Sequence, residues 1–257
     1  MAVIQGLTEF LPVSSSGHLA LAKHFMPNFE SPGTTLEIFL HAGTLIAVVA
    51  FYHKKLLSLL TGLFAGKRDS IAYAAWVLLS MVPVAIIYAV GKDAIESKYD
   101  SPVFVAWMLC ATGVVLSATA FIGKRGGDDV VRFKWFHALA MGAAQAVAML
   151  PGVSRSGSTI ATATLLGVKP KEAAEFSFIM SIPVIGGAVL LDILDLFKDT
   201  GADEAKFAAW QYAAGAAIAG IVGLAAIKGL VALLGKGKLW GFGVYCIIVG
   251  VTALCFL

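Results

Sequence analysis

The sequence predicts an all-α polytopic membrane protein with six transmembrane helices and two re-entrant helical hairpins. Its 257 residues are 59% hydrophobic and only 14% charged, with a mean hydropathy of +0.86, well above the apolar content of soluble domains. Gly, Pro and polar residues interrupt the apolar runs, which do not alternate with a period of two, so helices are favoured over a β-barrel. A motif that occurs once in each half of the chain predicts the hairpins.

Six apolar runs are long enough to cross a bilayer, which takes about 17 to 25 residues. They lie at roughly 35–53, 71–91, 102–122, 175–197, 208–230 and 239–257. The regions 1–26 and 135–168 are apolar at both ends but contain a proline and a Ser/Gly cluster. Each is predicted to form two half-helices around a break, because non-helical backbone at membrane depth needs surrounding protein or a water-filled cavity.

Basic residues cluster in three connecting segments, which we expect in the cytoplasm because positively charged loops stay on that side. These residues are Lys54, Lys55, Lys67 and Arg68 in the first segment, Lys124, Arg125, Arg132 and Lys134 in the second, and Lys228, Lys236 and Lys238 in the third. The segments 92–100 and 198–206 are balanced or slightly acidic, which suits the opposite side. The region 135–172 then begins and ends in the cytoplasm and 1–34 outside it, so the hairpins enter from opposite faces.

An internal repeat supports this topology. The stretch "QGLTEFLPVSSSGHL" matches "QAVAMLPGVSRSGSTI" with one shift near the proline, and Glu37 aligns with Glu175 further along each half. Each half, approximately 1–122 and 135–257, is one hairpin plus three spans within a single integral membrane domain. Inverted repeats of this kind place their binding site near the bilayer midplane, where broken helices meet.

Glu9 and Gln5 are predicted to share one helix face at membrane depth. An intramembrane carboxylate is either a metal ligand or proton acceptor at a cavity, or a protonated group hydrogen-bonded inside the bundle. Gln5 contributes a carbonyl oxygen without charge.

Ser14, Ser15 and Ser16 precede a helix that is expected to begin near Gly17. One serine can cap the helix, and the free amides of its N-terminus suit an anion. A serine hydroxyl there is a candidate nucleophile, and His18, three residues after Ser15, is a candidate general acid or base or a satisfied core residue.

Arg155 lies in the second break, between Ser154 and Ser156 and before Gly157. An arginine at this depth costs several kcal/mol, about 2.5 to 3.5 on the insertion scale. It either clamps a phosphate, together with a helix N-terminus near Ser156, or forms a buried pair with Glu9 or Glu175.

Other polar residues carry weaker indications. Glu37 and His41 share a helix face and either form a second layer around the site or bond each other, and Glu175 is a candidate lining residue. Asp192 and Asp195 fit solvated interfacial positions.

Several other features do not indicate a function. Cys110, Cys246 and Cys255 are expected to be packing residues. The N-terminus shows no signal-peptide pattern. The small excess of 19 basic over 16 acidic residues does not indicate nucleic-acid binding.

Serines, a histidine, an arginine, a glutamate and two helix N-termini together suit an anion that carries phosphate, and the membrane setting suggests a lipid phosphate. The phosphatidic-acid-type phosphatases are a poor match, because no histidine follows Arg155 at the required distance. An inverted-repeat transporter or flippase for an anionic or lipid-phosphate substrate is the alternative. Such a transporter would not need Ser15 and His18 beside a glutamate.

At "QGLTE", "LPVSSSGH", "PGVSRSG" and "EFSFIMSIP" the chain closely resembles the bacterial undecaprenyl-diphosphate phosphatase family, also known for bacitracin resistance. The resemblance covers nearly the whole chain. Family members usually begin earlier, so a short first half-helix is expected, and Gln5 is the uncharged alternative in the first motif.

The resemblance implies hydrolysis of undecaprenyl diphosphate to undecaprenyl phosphate, which recycles the carrier lipid of cell-wall synthesis. It also implies a divalent cation, Mg²⁺ or Ca²⁺, and a multi-pass protein of the bacterial cytoplasmic membrane whose site opens to the extracytoplasmic side. Glu9 with Gln5 would bind the metal, Ser15 would be the nucleophile, His18 an acid/base or alternative nucleophile, and Arg155 the diphosphate clamp. Ser14, Ser16, Gly17, Ser154, Ser156 and Gly157 would contact substrate, and a homodimer is one open alternative for the oligomeric state.

Overall fold

The computed structural model describes residues 1–26, 33–122, 133–198, 208–235 and 237–257. Regular structure in these ranges is α-helical, which confirms the predicted class. The helices are α1 (Ala2–Phe10), α2 (Ser15–Phe25), α3 (Gly33–Phe64), α4 (Arg68–Glu96), α5 (Pro102–Ile122), α6 (Trp135–Val147), α7 (Arg155–Leu165), α8 (Pro170–Lys198), α9 (Ala209–Leu234) and α10 (Leu239–Phe256).

Six of these helices are long and apolar enough to cross a membrane, and they correspond to the six predicted spans. The qualifying stretches are Thr35–Phe64, Arg68–Glu96, Pro102–Ala120, Pro170–Leu191, Ala209–Leu234 and Leu239–Phe256. Large apolar side chains such as Ile46, Leu78 and Ile221 are mostly exposed on their outer faces, as expected where lipid replaces water. The chain is therefore a multi-pass membrane protein.

Several helices extend beyond the predicted limits. Helix α3 continues past Lys54 and Lys55, and α8 begins at Pro170, because lysine favours helix and proline fits a first turn. Of the residues used for orientation, Lys124, Arg125, Arg132, Lys236 and the segment 199–206 lie outside the described residues, as do the side chains of Asp192 and Asp195.

The four short helices form two pairs, each interrupted where the sequence predicts a break. Helix α1 ends at Phe10, and the next residue, Leu11, has an extended backbone (φ −63°, ψ 141°) because Pro12 sterically restricts the residue before it. Ser14 and Ser154 cap α2 and α7, accepting hydrogen bonds from the amides of Gly17 (3.2 Å) and Gly157 (3.0 Å). These helices begin one or two residues earlier than predicted, at Ser15 and Arg155.

Glycines let the long helices approach closely. A Cβ atom at Gly43 of α3 would lie 2.1 Å from the carbonyl oxygen of Ala216 in α9, and one at Gly243 of α10 would lie 2.6 Å from that of Gly113 in α5. Small residues at such crossings drive helix association in membranes by close backbone packing. The short pairs pack into this frame, with α1 against α9 and α6 against α4.

We expect Gly43→Ala to destabilise the protein by about 1–3 kcal/mol, because the added methyl group meets backbone that cannot move away. Gly229→Ala is the matched control, since a Cβ atom there meets nothing within 4 Å and alanine favours helix. Thermal unfolding in detergent measures both variants. Equal melting temperatures would contradict the packing described for α3 and α9.

Candidate functional site

The two helix breaks touch each other in the centre of the bundle. The Ser156 hydroxyl donates a hydrogen bond to the carbonyl of Leu11 (3.2 Å), and the Gly152 amide donates to the Ser16 hydroxyl (3.4 Å). Gly152 has a positive φ of 91°, which favours glycine. Hydrogen bonds therefore join residues 148–156 to residues 11–16, although the two segments are far apart in the chain.

Thr112 of α5 fixes the second break from the side. Its hydroxyl accepts a hydrogen bond from the amide of Ser154 (3.1 Å) and donates one to the carbonyl of Gly152 (3.2 Å). All three groups are buried, so these contacts satisfy backbone that would otherwise lack partners. Sequence reasoning missed Thr112, because a single threonine in an apolar span carries no local signal.

A small polar cavity lies where the breaks meet. Its volume is about 150 Å³, and it is lined by Thr8, Glu9, Ser14, Ser15, Ser16, His41, Tyr99, Ala148, Val153, Ser154 and Arg155. The structure thus brings predicted residues from both halves of the chain to one cavity: Glu9, Ser14, Ser15, Ser16 and His41 from the first half, and Ser154 and Arg155 from the second.

The Glu9 carboxylate is the centre of the cavity's hydrogen-bond network. Its Oε1 atom accepts from the Arg155 guanidinium at 2.5 Å, and its Oε2 atom accepts from the Ser15 hydroxyl at 2.6 Å and from the Gln5 amide at 3.1 Å. Three donors, one of them cationic, stabilise the ionised form of a carboxylate that is only 8% exposed. The structure shows the buried pair of Arg155 with Glu9, one of the two alternatives for Arg155.

Two polar atoms of this network remain without a hydrogen-bond partner among the described residues. They are the buried Oε1 of Gln5 and Nη1 of Arg155. Buried polar atoms normally find partners. Arg155 lines the cavity, whereas Gln5 does not line it and is connected to it through the hydrogen bond to Glu9. The acceptor suits a cation and the donor suits an anionic oxygen.

His18 does not line this cavity. Its Nδ1 lies 2.8 Å from the Ser14 carbonyl, and its Nε2 lies 2.8 Å from the Tyr245 hydroxyl of α10. The residue instead lines an apolar groove between α2 and α10. His18, a candidate general acid or base by its spacing from Ser15, is therefore not among the residues that line the polar cavity.

The predicted second layer is only partly present. His41 lines the cavity, and its Nδ1 atom contacts the backbone carbonyl of Glu37 at 2.8 Å. The Glu37 carboxylate pairs with Lys23, and the contact described between His41 and Glu37 is with the Glu37 backbone. Glu175 pairs with Lys55 at 2.7 Å and is not among the residues that line the cavity.

Tyr99 lines the cavity from the α4–α5 connection, and sequence reasoning missed it because nothing marks one tyrosine in a loop as part of a site. Partial burial, followed by the charges of Glu37 and Glu9, raises the pKa of its phenol. Tyr99 is therefore neutral near pH 7 and carries a hydroxyl that can donate to a phosphate oxygen.

The comparisons with known proteins agree with one another. The model of the family described as "Bacitracin resistance protein BacA" matches residues 1–252. The chain is 38% identical over 253 residues to the undecaprenyl-diphosphatase of Syntrophotalea carbinolica, covering 97% of this chain and 94% of that protein. It is also 38% identical to the undecaprenyl-diphosphatase of Desulfatibacillum aliphaticivorans (99% and 95% covered) and 35% identical to that of Salinibacter ruber (100% and 97% covered).

Thr112→Val is expected to destabilise the protein by about 1–3 kcal/mol, because it leaves the buried amide of Ser154 and carbonyl of Gly152 unsatisfied. Thr119→Val in the same helix is the control, since its hydroxyl contacts only the Leu116 carbonyl of its own helix. The free energy of unfolding in detergent compares them. The role assigned to Thr112 is wrong if both variants unfold alike.

Proposed function

The chain belongs to the bacitracin resistance protein BacA family, and we propose that it is an enzyme that hydrolyses undecaprenyl diphosphate to undecaprenyl phosphate and inorganic phosphate. This reaction recycles the carrier lipid of peptidoglycan synthesis in the bacterial cytoplasmic membrane. Relatives named undecaprenyl-diphosphatase that match almost end to end support the assignment.

The observation that carries the chemistry is the 2.6 Å hydrogen bond from the Ser15 hydroxyl to Glu9. A hydroxyl paired with a buried carboxylate is an activated nucleophile. We assign Ser15 Oγ to attack the terminal phosphorus while Glu9 takes its proton, and the bond from that phosphorus to the bridging oxygen breaks. Glu9 passes that proton to the departing undecaprenyl phosphate and is ionised again. It then takes a proton from water, whose oxygen attacks the phosphoserine phosphorus, and this proton returns to Ser15 Oγ as the bond from phosphorus to Oγ breaks.

Arg155 supplies positive charge on the other side of the cavity. One guanidinium nitrogen holds Glu9, whereas Nη1 has no partner in the described structure and is available to a phosphate oxygen. The capped N-terminus of α2 adds amide dipoles. Phosphoryl transfer depends mainly on positioning and charge neutralisation, which these groups provide.

His18 is less well placed for either role suggested by the resemblance. Both ring nitrogens already have partners, in Ser14 and Tyr245. Ser15 is therefore the assigned nucleophile.

Glu9 in the cavity wall and Gln5, hydrogen-bonded to it, are the residues that would hold a divalent cation, Mg²⁺ or Ca²⁺. Among the described residues, no three His, Cys, Asp or Glu side chains are grouped so that they could hold a metal ion. Glu9 and the unpartnered Oε1 of Gln5 nevertheless offer two oxygen ligands. Mg²⁺ commonly binds through one or two carboxylates plus substrate phosphates. When bound, the cation would neutralise the negative charge of the diphosphate.

The finer topology belongs to the same proposal: α1–α2 and α6–α7 are re-entrant hairpins of an inverted repeat. In support, α1 packs against α9 as α6 packs against α4, helices that occupy matched positions in the two halves. Tyr99 lines the cavity from a connection with an extracytoplasmic charge pattern, which supports a site open to that side. A homodimer stays a prediction.

A transporter or flippase is the less favoured function. The relatives carry the name of a phosphatase, and the pairing of Ser15 with Glu9 supplies a nucleophile and a base that transport does not need.

We expect purified protein to release inorganic phosphate from a polyprenyl diphosphate in detergent, and Ser15→Ala, Glu9→Gln and Arg155→Ala each to lower kcat by about 10²-fold or more. Ser97→Ala, Glu96→Gln and Arg68→Ala are controls outside the cavity and should keep full activity. Full activity of the cavity variants would refute the site. No release by the intact protein would favour transport.

Chelation of divalent cations is expected to stop phosphate release, and Gln5→Ala to raise the Mg²⁺ concentration required for half-maximal activity, because it removes an oxygen ligand. Gln211→Ala is the control, since that side chain caps the start of α9. Titration of activity with Mg²⁺ compares the variants. Identical titration curves would show that Gln5 is not a ligand.

A further inference from the structure

Helix α10 supports the first break from the outer side of the bundle. The Tyr245 hydroxyl lies 2.8 Å from Nε2 of His18, and the two rings stack in parallel planes with centroids 5.6 Å apart. The adjacent Cys246 directs its thiol toward the carbonyl of Pro12 at 3.7 Å. Two consecutive residues of a spanning helix thus contact the chain on either side of Ser15, at Pro12 before it and at His18 after it.

The hydrogen bonds determine which nitrogen of His18 carries the proton. Nδ1 faces the Ser14 carbonyl at 2.8 Å, and a carbonyl oxygen only accepts, so Nδ1 must be the donor. In the neutral ring Nε2 is then an acceptor, and the Tyr245 hydroxyl donates to it. Tyr245 therefore orients the imidazole so that its N–H points at Ser14.

Ser14 needs this support because its backbone is strained. It is the one non-glycine residue with positive φ, 70°, among the described residues, a conformation that costs about 1–3 kcal/mol. The amide of Gly17 donates to its side chain, and the amide and ring of His18 both donate to its carbonyl. The strained residue directly precedes Ser15, whose hydroxyl donates a hydrogen bond to the Glu9 carboxylate.

We propose that Tyr245 is a positioning residue: through the His18 imidazole it holds the Ser14 carbonyl, and thereby keeps the Ser15 hydroxyl on the Glu9 carboxylate. The proposal rests on the function proposed above, with Ser15 as nucleophile. It assigns His18 a structural part in catalysis and excludes proton transfer by its ring.

The apolar surroundings of His18 and Tyr245 make the hydrogen bond between them difficult to replace. His18 borders the apolar groove of about 300 Å³ that Leu21, Phe25, Ile248 and Phe256 help to line. In hydrocarbon no water replaces a lost partner. Removing the Tyr245 hydroxyl therefore leaves Nε2 unsatisfied and frees the ring to rotate away from Ser14.

Tyr245→Phe tests the proposal with the least change, because the stacked ring remains. We expect kcat for phosphate release to fall about ten-fold, the size of one lost hydrogen bond, with KM changed by less than about two-fold and the pH profile of kcat unchanged. Tyr88→Phe is the matched control, since Tyr88 of α4 is 42% exposed and Tyr245 44%, and it should leave kcat unaltered.

Substitution of His18 separates positioning from proton transfer. Asparagine places an N–H near the position of Nδ1 and can still donate to the Ser14 carbonyl, whereas leucine cannot. We expect His18→Asn to retain about ten-fold more activity than His18→Leu. Adding Tyr245→Phe to His18→Asn should cause no further loss, because the two residues act through one contact.

The proposal is overturned if Tyr245→Phe keeps wild-type kcat, if it shifts the pH profile, or if His18→Asn and His18→Leu are equally inactive. The last comparison does not depend on how well Tyr245→Phe folds, and thermal unfolding in detergent checks each variant. Absence of phosphate release by the unaltered protein would instead refute the proposed function. The two failures are therefore distinguishable.

Discussion

The buried ion pair between Glu9 and Arg155 is the interaction on which the rest of the centre depends. A carboxylate and a guanidinium at this depth are tolerated only together, because removing either leaves an uncompensated charge. They come from opposite halves of the chain, so the two helix breaks must meet. The positive φ of Gly152, the hydrogen bond from Ser156 to Leu11 and the hydrogen bond from Thr112 to Gly152 hold the two breaks in this arrangement.

The same contacts explain how non-helical backbone is accommodated inside a membrane protein. Each break exposes amides and carbonyls that lipid cannot satisfy. Ser14 and Ser154 cap the following helices, and Thr112 bonds both sides of the second break. Residues of both breaks, among them Ser14 and Ser154, also line the polar cavity.

Much of this arrangement was predictable from the sequence, because it follows from local rules. Hydropathy predicted the six long helices, and Pro12 with the Ser/Gly clusters predicted the half-helices and their serine caps. Contacts between residues far apart in the chain were harder to predict from the sequence. Tyr99 and Thr112 carry no local signal, and the spacing of His18 from Ser15 predicts proximity along a helix but not the direction of a ring that bonds Tyr245, 227 residues away.

Tyr245 is nearly half exposed on the outer face of α10, so what surrounds the protein also surrounds its contact with His18. A bilayer offers that hydroxyl no competing partner, whereas water in a loosely packed micelle does. Detergent and lipid are therefore not equivalent surroundings for this protein. The membrane mimetic in which the protein is studied therefore affects the geometry around Ser15. Rates measured in different amphiphiles then reflect how well the Ser15 hydroxyl is aligned with the Glu9 carboxylate in each.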